Sequence, residues 1–304
     1  MTAVVMWSAS SIAQSEFQYR QNLTRANGLP DNAVEDIEQD SDGFIWIGTR
    51  SGLARYDGSQ FEVFKTTAGD STSLADNYIR DLQPIGDKLW IGTRVGISIL
   101  DLNTDQFRNI YLDKSGHRVS AGSQFTTGAG LIYEGFDGTV WIAGREGVDY
   151  GWCKYFPDVD SFKCYSLDPS KLQDEVLSPT RVNNVLSLIQ DNKDPETLWV
   201  GTQAGLVKFN IRTEETLHFY YPTENSTFQQ SSNVFRRMWQ APDGRIFCGS
   251  WSGGLNIFNP ADGSYTPAPY SNKDIDRPFI QSIRRILPKS DTEIWVTLFK
   301  SLIA

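Results

Sequence analysis

Arg50, Arg94 and Arg145 each stand directly after the same kind of short segment, Ile47-Gly48-Thr49, Ile91-Gly92-Thr93 and Ile142-Ala143-Gly144. Gln203, Trp251 and Phe299 hold the corresponding place further on. Guanidinium and amide groups donate hydrogen bonds from a planar fork, and aromatic rings offer a stacking face. Brought together, such groups suit a small polar or anionic ligand, an oligosaccharide for example. Acid–base chemistry has little to draw on, because only His117 and His218 are present and they fall at unrelated positions. The sequence lacks metal-ligand clusters, a Gly-x-Ser-x-Gly elbow and a phosphate loop. It therefore points to no catalytic residue, no metal and no cofactor.

Residues so far apart meet only if a repeated scaffold brings them together. The stretch Asp42-Gly43-Phe44-Ile45-Trp46-Ile47-Gly48-Thr49 returns around Trp90, Trp141, Trp199, Phe247 and Trp295, at intervals of about fifty residues. In the first unit, residues 32–37 read as an inner strand and Asp42-Gly43 as a hairpin turn. Strands over 44–49, 53–56 and 61–64 complete it. Later units follow the same pattern, with third strands expected from Gly96, Gly147, Gly205 and Gly254. A four-stranded meander cannot bury both faces alone, so neighbours must stack. The fold class is all-β, a β-propeller of four-stranded antiparallel blades. Six blades are visible, the sixth incomplete, and seven are expected in the full ring, with residues 17–21 as a strand closing the last blade. The chain is thus read as a C-terminally truncated piece. The repeated Trp is assigned to packing between blades.

In a propeller, the loop between second and third strands shares a face with the lead-in to the first strand. Asn32, Asn77, Asn183 and Asn233 occupy those lead-ins. They join Arg50, Arg94, Arg145, Gln203 and Trp251 as candidate ligand-binding residues. The competing structural role has the asparagines capping turns and the arginines pairing with acidic residues of adjacent blades.

A net charge of −9 argues against nucleic acid as a partner, since phosphate backbones need a concentrated basic surface. No run of eighteen apolar residues occurs, so the sequence shows no membrane-spanning helix. The first residues combine a short apolar run with Ser11-Ile12-Ala13 before Gln14, a small-x-small cleavage pattern without the usual basic start. Residues 1–13 read as a signal-peptide remnant and 14–304 as the propeller. Cys153 and Cys164 lie at equal distances on either side of a turn at Pro157-Asp158-Val159-Asp160. In a hairpin they stand opposite one another, either bridged in an oxidising compartment or packed as two thiols. Cys248 replaces the Ile or Val that follows the anchor elsewhere, and reads as a buried apolar residue.

The unit over residues 32–57, with Asn32, Val34, Ile37, Asp40, Gly43, Ile45-Trp46-Ile47-Gly48-Thr49, Gly52-Leu53 and Tyr56-Asp57, resembles the two-component regulator propeller repeat. Ser73-Leu74-Ala75-Asp76-Asn77-Tyr78-Ile79 resembles that family's lead-in to a blade. The resemblance covers roughly residues 17–304. It implies the periplasmic sensor part of a bacterial inner-membrane receptor, a homodimer whose membrane anchor and histidine kinase or diguanylate cyclase output lie beyond Ala304. Two rival readings are an exported carbohydrate-active lyase or glycosidase and a non-catalytic interaction scaffold. The Asp-Gly-x-x-Trp segment also resembles the Asp box of sialidases, but its adjacent Asp and Gly serve the hairpin.

Overall fold

The structure is a computed structural model that describes residues 3–7, 23–121, 123, 127–144, 148–168, 181, 183–220, 233–251, 253–268, 283–288 and 294–298. The chain divides into two compact units, Tyr19–Ser166 and Met1–Gln18 with Leu167–Ala304. Each is built from antiparallel sheets that follow one another in sequence.

The unit over residues 19–166 holds three blades. Blade one is β2 (Val34–Gln39), β3 (Ile45–Thr49), β4 (Gly52–Tyr56) and β5 (Phe61–Phe64). Blade two is β6 (Ile79–Ile85), β7 (Lys88–Thr93), β8 (Ile97–Asp101) and β9 (Gln106–Leu112), with a short fifth strand β10 (Arg118–Val119) on its edge. Blade three is β11 (Ala129–Glu134), β12 (Val140–Gly144), β13 (Trp152–Phe156) and β14 (Ser161–Tyr165). Its third strand starts at Trp152, not near Gly147 as the repeat spacing predicts. Gly144 instead donates its amide to the Gly151 carbonyl, and the buried Tyr150 fills the space against it.

The other unit repeats the plan. Blade four is β15 (Val185–Gln190), β16 (Thr197–Thr202), β17 (Gly205–Asn210) and β18 (Thr216–Phe219), and blade five is β19 (Phe235–Gln240), β20 (Ile246–Ser250), β21 (Leu255–Asn259) and β22 (Ser264–Pro267). In the sixth sheet β23 (Ile283–Pro288) pairs with β24 (Ile294–Leu298), which pairs in turn with β1 (Ala3–Trp7). The strand expected over residues 17–21 lies outside the described residues. All these pairings are antiparallel. The fold is a β-propeller of four-stranded antiparallel blades. No helix among the described residues is long and apolar enough to cross a membrane.

The core lies between blades, not within them. Trp46 and Leu53 of blade one pack with Leu74, Ile79, Leu82 and Ile91 of blade two. In the same way Trp199 and Leu206 of blade four meet Phe235, Met238 and Cys248 of blade five. Burying a large apolar side chain contributes about 2 kcal/mol, so each sheet gains most of its stability from its neighbour. The glycine of the repeated segment is explained by this packing. A Cβ on Gly48 would lie 2.6 Å from Ile79 Cγ2, and one on Gly249 would lie 2.5 Å from Ile283 Cγ2. A larger residue would push the blades apart.

A second regularity lies in the first strand of each blade. All six carry a register shift near their start, between Val34 and Asp36 in blade one and between Ile79 and Asp81 in blade two. Such a bulge re-aims one side chain. In the first two blades that residue is a buried aspartate. Asp36 accepts the Leu82 amide at 3.0 Å and Asp81 accepts the Ile132 amide at 2.7 Å, so each blade is bonded to the next.

Candidate functional site

The loop between second and third strands is held by its own chemistry. The Thr49 hydroxyl donates to the Gly52 carbonyl at 2.7 Å and receives the Ser51 amide. Thr93 with Gly96, Thr202 with Gly205 and Ser250 with Gly254 repeat the clamp. The next residue then donates its amide to the lead-in of the first strand: Arg50 to Ala33, Arg94 to Tyr78, Gln203 to Asn184 and Trp251 to Val234. Loop and lead-in are therefore joined in four blades, and the variable side chain stands at the joint.

In the unit over residues 19–166 this builds an open cleft of about 520 Å³. Arg50, Thr66, Ala75, Asp76, Asn77, Tyr78 and Arg94 line it. Arg50 Nε donates to Glu35 Oε1 at 2.6 Å, and its guanidinium carbon lies 5.6 Å from the centre of the Tyr78 ring. Arg80 approaches the same ring at 5.8 Å. The hydrogen bond to Glu35 raises the Arg50 pKa above its ordinary value. Arg94 Nη2 bonds Asp76 Oδ2 at 3.2 Å, while Asp76 Oδ1 accepts the Tyr78 amide at 2.6 Å. Behind the loop, Ser51 Oγ donates to Asp31 at 2.8 Å, and the Ala33 amide and this hydroxyl lower the Asp31 pKa.

The structure brings Arg50, Arg94 and Asn77 together, and adds Tyr78, Glu35 and Asp76, which sequence reasoning did not single out. Glu35 lies three residues after the lead-in Asn32 and Asp76 one residue before Asn77, and that proximity was the available signal. Asn77 accepts the Thr66 amide at 2.9 Å. Asn32 accepts the Arg25 amide at 2.9 Å, and Asn183 accepts the Leu167 amide at 2.7 Å. Three lead-in asparagines thus hold chain that precedes their own blade, and for Asn77 and Asn183 that chain has just left a strand. Arg145 and Phe299 lie outside the described residues.

In the other unit Asn233 is fully buried. Gln203 is half-buried, with its carbonyl 3.5 Å from Arg181 Nη2. Trp251 is half exposed, and the Arg236 guanidinium carbon lies 4.4 Å from the centre of its ring.

The remaining candidates fall elsewhere. His117 is exposed beside Asp113, 3.6 Å away, and His218 lies on β18 with Nε2 2.7 Å from the Ala204 carbonyl. Burial lowers the His218 pKa, the carbonyl contact opposing this in part. Cys248 is fully buried and its thiol pKa is pushed far up. Cys153 and Cys164 face each other on β13 and β14 and form a disulfide. Among the described residues no three His, Cys, Asp or Glu side chains form a metal-binding group.

Trp46 Nε1 donates to Asp40 Oδ2 at 2.7 Å and Trp199 Nε1 to Asp191 Oδ2 at 2.6 Å. These two anchors are packing residues with a satisfied polar edge.

Comparison with known proteins agrees with this architecture. Residues 28–51 match the family described as two component regulator propeller. A stretch of 77 residues is 36% identical to Histidine kinase P4 of Formosa agariphila, covering 24% of this chain and 6% of the kinase. Among solved structures, the extracellular domain of the hybrid two-component system BT3049 of B. thetaiotaomicron superposes with a TM-score of 0.68 at 20% identity, over 91% of this chain and 34% of that one. The corresponding domain of BT4673 from the same organism gives 0.54 at 19% identity, over 88% and 37%. The chain thus spans about a third of these solved domains and a small part of the kinase. It is a β-propeller in which one repeat, residues 28–51, matches the two-component regulator propeller model.

Proposed function

We propose that the chain is the extracytoplasmic sensing propeller of a bacterial transmembrane signalling receptor, and that the segment itself is non-catalytic. The observation that carries this is the cleft at Arg50, Tyr78 and Arg94, where the residues that vary between blades converge on an open, donor-rich surface. A polar ligand, an oligosaccharide or a small anion, binds there through forked donors and one ring face. Gln203 and Trp251 offer the same kinds of group in the second unit. The Cys153–Cys164 bridge supports placement in the periplasm, where disulfides persist. In the whole receptor, ligand binding biases a homodimer anchored in the inner membrane and carrying a histidine kinase or diguanylate cyclase.

Thermal-shift screening of the chain against oligosaccharides and small anions tests the reading. A ligand that raises Tm in the native chain, and no longer does so in Arg94→Ala, supports it. Turnover of a polysaccharide by the purified chain overturns it in favour of an exported enzyme.

A further inference from the structure

The Cys153–Cys164 bridge is an addition to the repeat. In blades one, two and four the same two places on the third and fourth strands hold Ala54 and Val63, Ser98 and Asn109, and Val207 and His218. The pairing of these strands therefore does not itself call for a bridge. Both cysteines belong to the face of blade three that packs against Trp90, Ile97 and Ile110 of blade two. Cys153 is fully buried there, and Cys164 is half-buried.

A second addition lies across the bridge, the segment 113–119 that leads into the extra strand β10 of blade two. Its Gly116 has a positive φ and stands so close to Cys164 that a Cβ at 116 would overlap the sulfur. This strap is tied to blade three on both sides. Asp149 donates its amide to the Lys114 carbonyl at 2.8 Å, and Arg118 pairs with Asp160. Lys114 Nζ lies 3.2 Å from Asp149 Oδ2, an ion pair exposed on both sides and therefore a weak tie. Asp149 and the buried Tyr150, whose ring also lies beside Gly116, belong to the connection between β12 and β13. That connection is the blade-three counterpart of the loops that carry Arg50 and Arg94. One strap thus joins the bridge to a variable loop.

Two thiol sulfurs in contact stand further apart than two bonded ones, by more than about 1 Å. Cys153 is enclosed on every side, so the added separation falls on Cys164 and on the glycine against it. From this we infer that the bridge is a redox-sensitive latch. A dithiol reductant opens it, the freed Cys164 thiol lifts Gly116, and the strap lets go of Asp149 and the loop before β13. The exchange balances without any other reactant. The first sulfur of the dithiol bonds Cys164 Sγ as the bridge breaks, and its proton passes to Cys153. The second sulfur then closes on the first and releases Cys164 as a thiol with the second proton. The inference is independent of the ligand cleft.

The test is hydrogen–deuterium exchange of the whole chain, oxidised, reduced with dithiothreitol, and as the double variant Cys153→Ala/Cys164→Ala. The double variant has neither the bridge nor the crowding sulfurs, so it separates the push from the mere loss of a cross-link. The Gly116 and Asp149 amides, which donate to the Asp113 and Lys114 carbonyls, are the readout. Both are expected to exchange at least tenfold faster in the reduced chain than in the double variant, while amides of blade one exchange alike in these two forms. Should the double variant fail to fold, Cys164→Ala gives the same comparison, since it removes the sulfur beside Gly116. Equal exchange at Gly116 and Asp149 in the reduced chain and the variant overturns the inference. So does faster exchange spread evenly over all blades, or a bridge that dithiothreitol leaves intact in the folded chain.

Discussion

Blade one and blade three have the same strand order and the same tryptophan anchor, yet different chemistry holds them. In blade one a single carboxylate, Asp40, accepts the Trp46 indole at 2.7 Å together with the Phe44 and Asp42 amides. Blade three has Gly135 at that turn and relies on the Cys153–Cys164 bridge between its outer strands. Gly116 lies directly against the Cys164 sulfur. Asp160, in the left-handed conformation, gathers Arg108, Arg118 and Tyr155 at the turn below. Burial pulls the Asp160 pKa up, but these hydrogen bonds and charges outweigh it and leave the carboxyl below its usual range. Blade five shows a third solution, with Ala241 at the turn and Phe247 as the anchor, so that no indole needs a partner. The lesson is that the repeat fixes the space to be filled and leaves the cross-link to each blade.

The largest effect should come from the covalent case. Cys153→Ala/Cys164→Ala is expected to cost about 3 kcal/mol, read as a lower urea midpoint. Dithiothreitol should reproduce the loss in the native chain and leave the double variant unchanged. An unaltered midpoint would mean that blade three is held by the Asp160 cluster instead.

The polar case comes next. Asp40→Ala removes the acceptor of a buried indole N–H and of two turn amides, and should cost about 2 kcal/mol. Trp46→Phe in that background copies the Ala241 and Phe247 pair of blade five. A double-mutant cycle is expected to give about 1 kcal/mol of coupling. Zero coupling would dissolve the contrast between blades.

A smaller, pH-dependent effect belongs to blade four. The folded state lowers the His218 pKa, so the unfolded chain binds this proton more readily. The contribution is present in full above the unfolded value of about 6.5 and is lost as pH falls through the folded value. Urea midpoints should therefore decline on acidification below about pH 6.5, with a shallower slope in His218→Gln. Equal slopes would assign the acid sensitivity to other groups. Arg50→Ala should change stability least, by under about 0.5 kcal/mol, because its own guanidinium is largely exposed. A loss above 2 kcal/mol would recast Arg50 as a structural residue like Asp40.

Much of this was legible in the sequence because it is written in local pattern. The period of the tryptophan anchors gave the blades, Asp42-Gly43 gave a turn with Gly43 at positive φ, and the symmetric placement of Cys153 and Cys164 gave a cross-strand pair. The joint between loop and lead-in followed from strand order alone. What stayed hidden depends on one-residue offsets and on distance. The bulge before Asp36 shifts that side chain toward the next blade, and period-two alternation cannot register it. The indole–carboxylate bond spans six residues in blade one and eight in blade four, so no fixed motif reveals it. Nothing in the sequence marked Glu35 and Asp76 as the acidic partners of Arg50 and Arg94, which only the fold brings to them. The late start of β13 at Trp152 was masked by the Gly147-Val148 dipeptide, which imitates the third-strand openings of the other repeats.

The threonine clamp has a consequence for how such proteins change. Thr49, Thr93, Thr202 and Ser250 close their loops with hydroxyl-to-carbonyl bonds that do not involve the side chain of the following residue. The side chains at positions 50, 94, 203 and 251 can therefore change without opening the clamp as long as the backbone amide is kept, much as the tip of an antibody loop varies on its framework. Randomising these four codons should yield libraries in which nearly every member folds, so that new recognition can be selected without rescuing stability first.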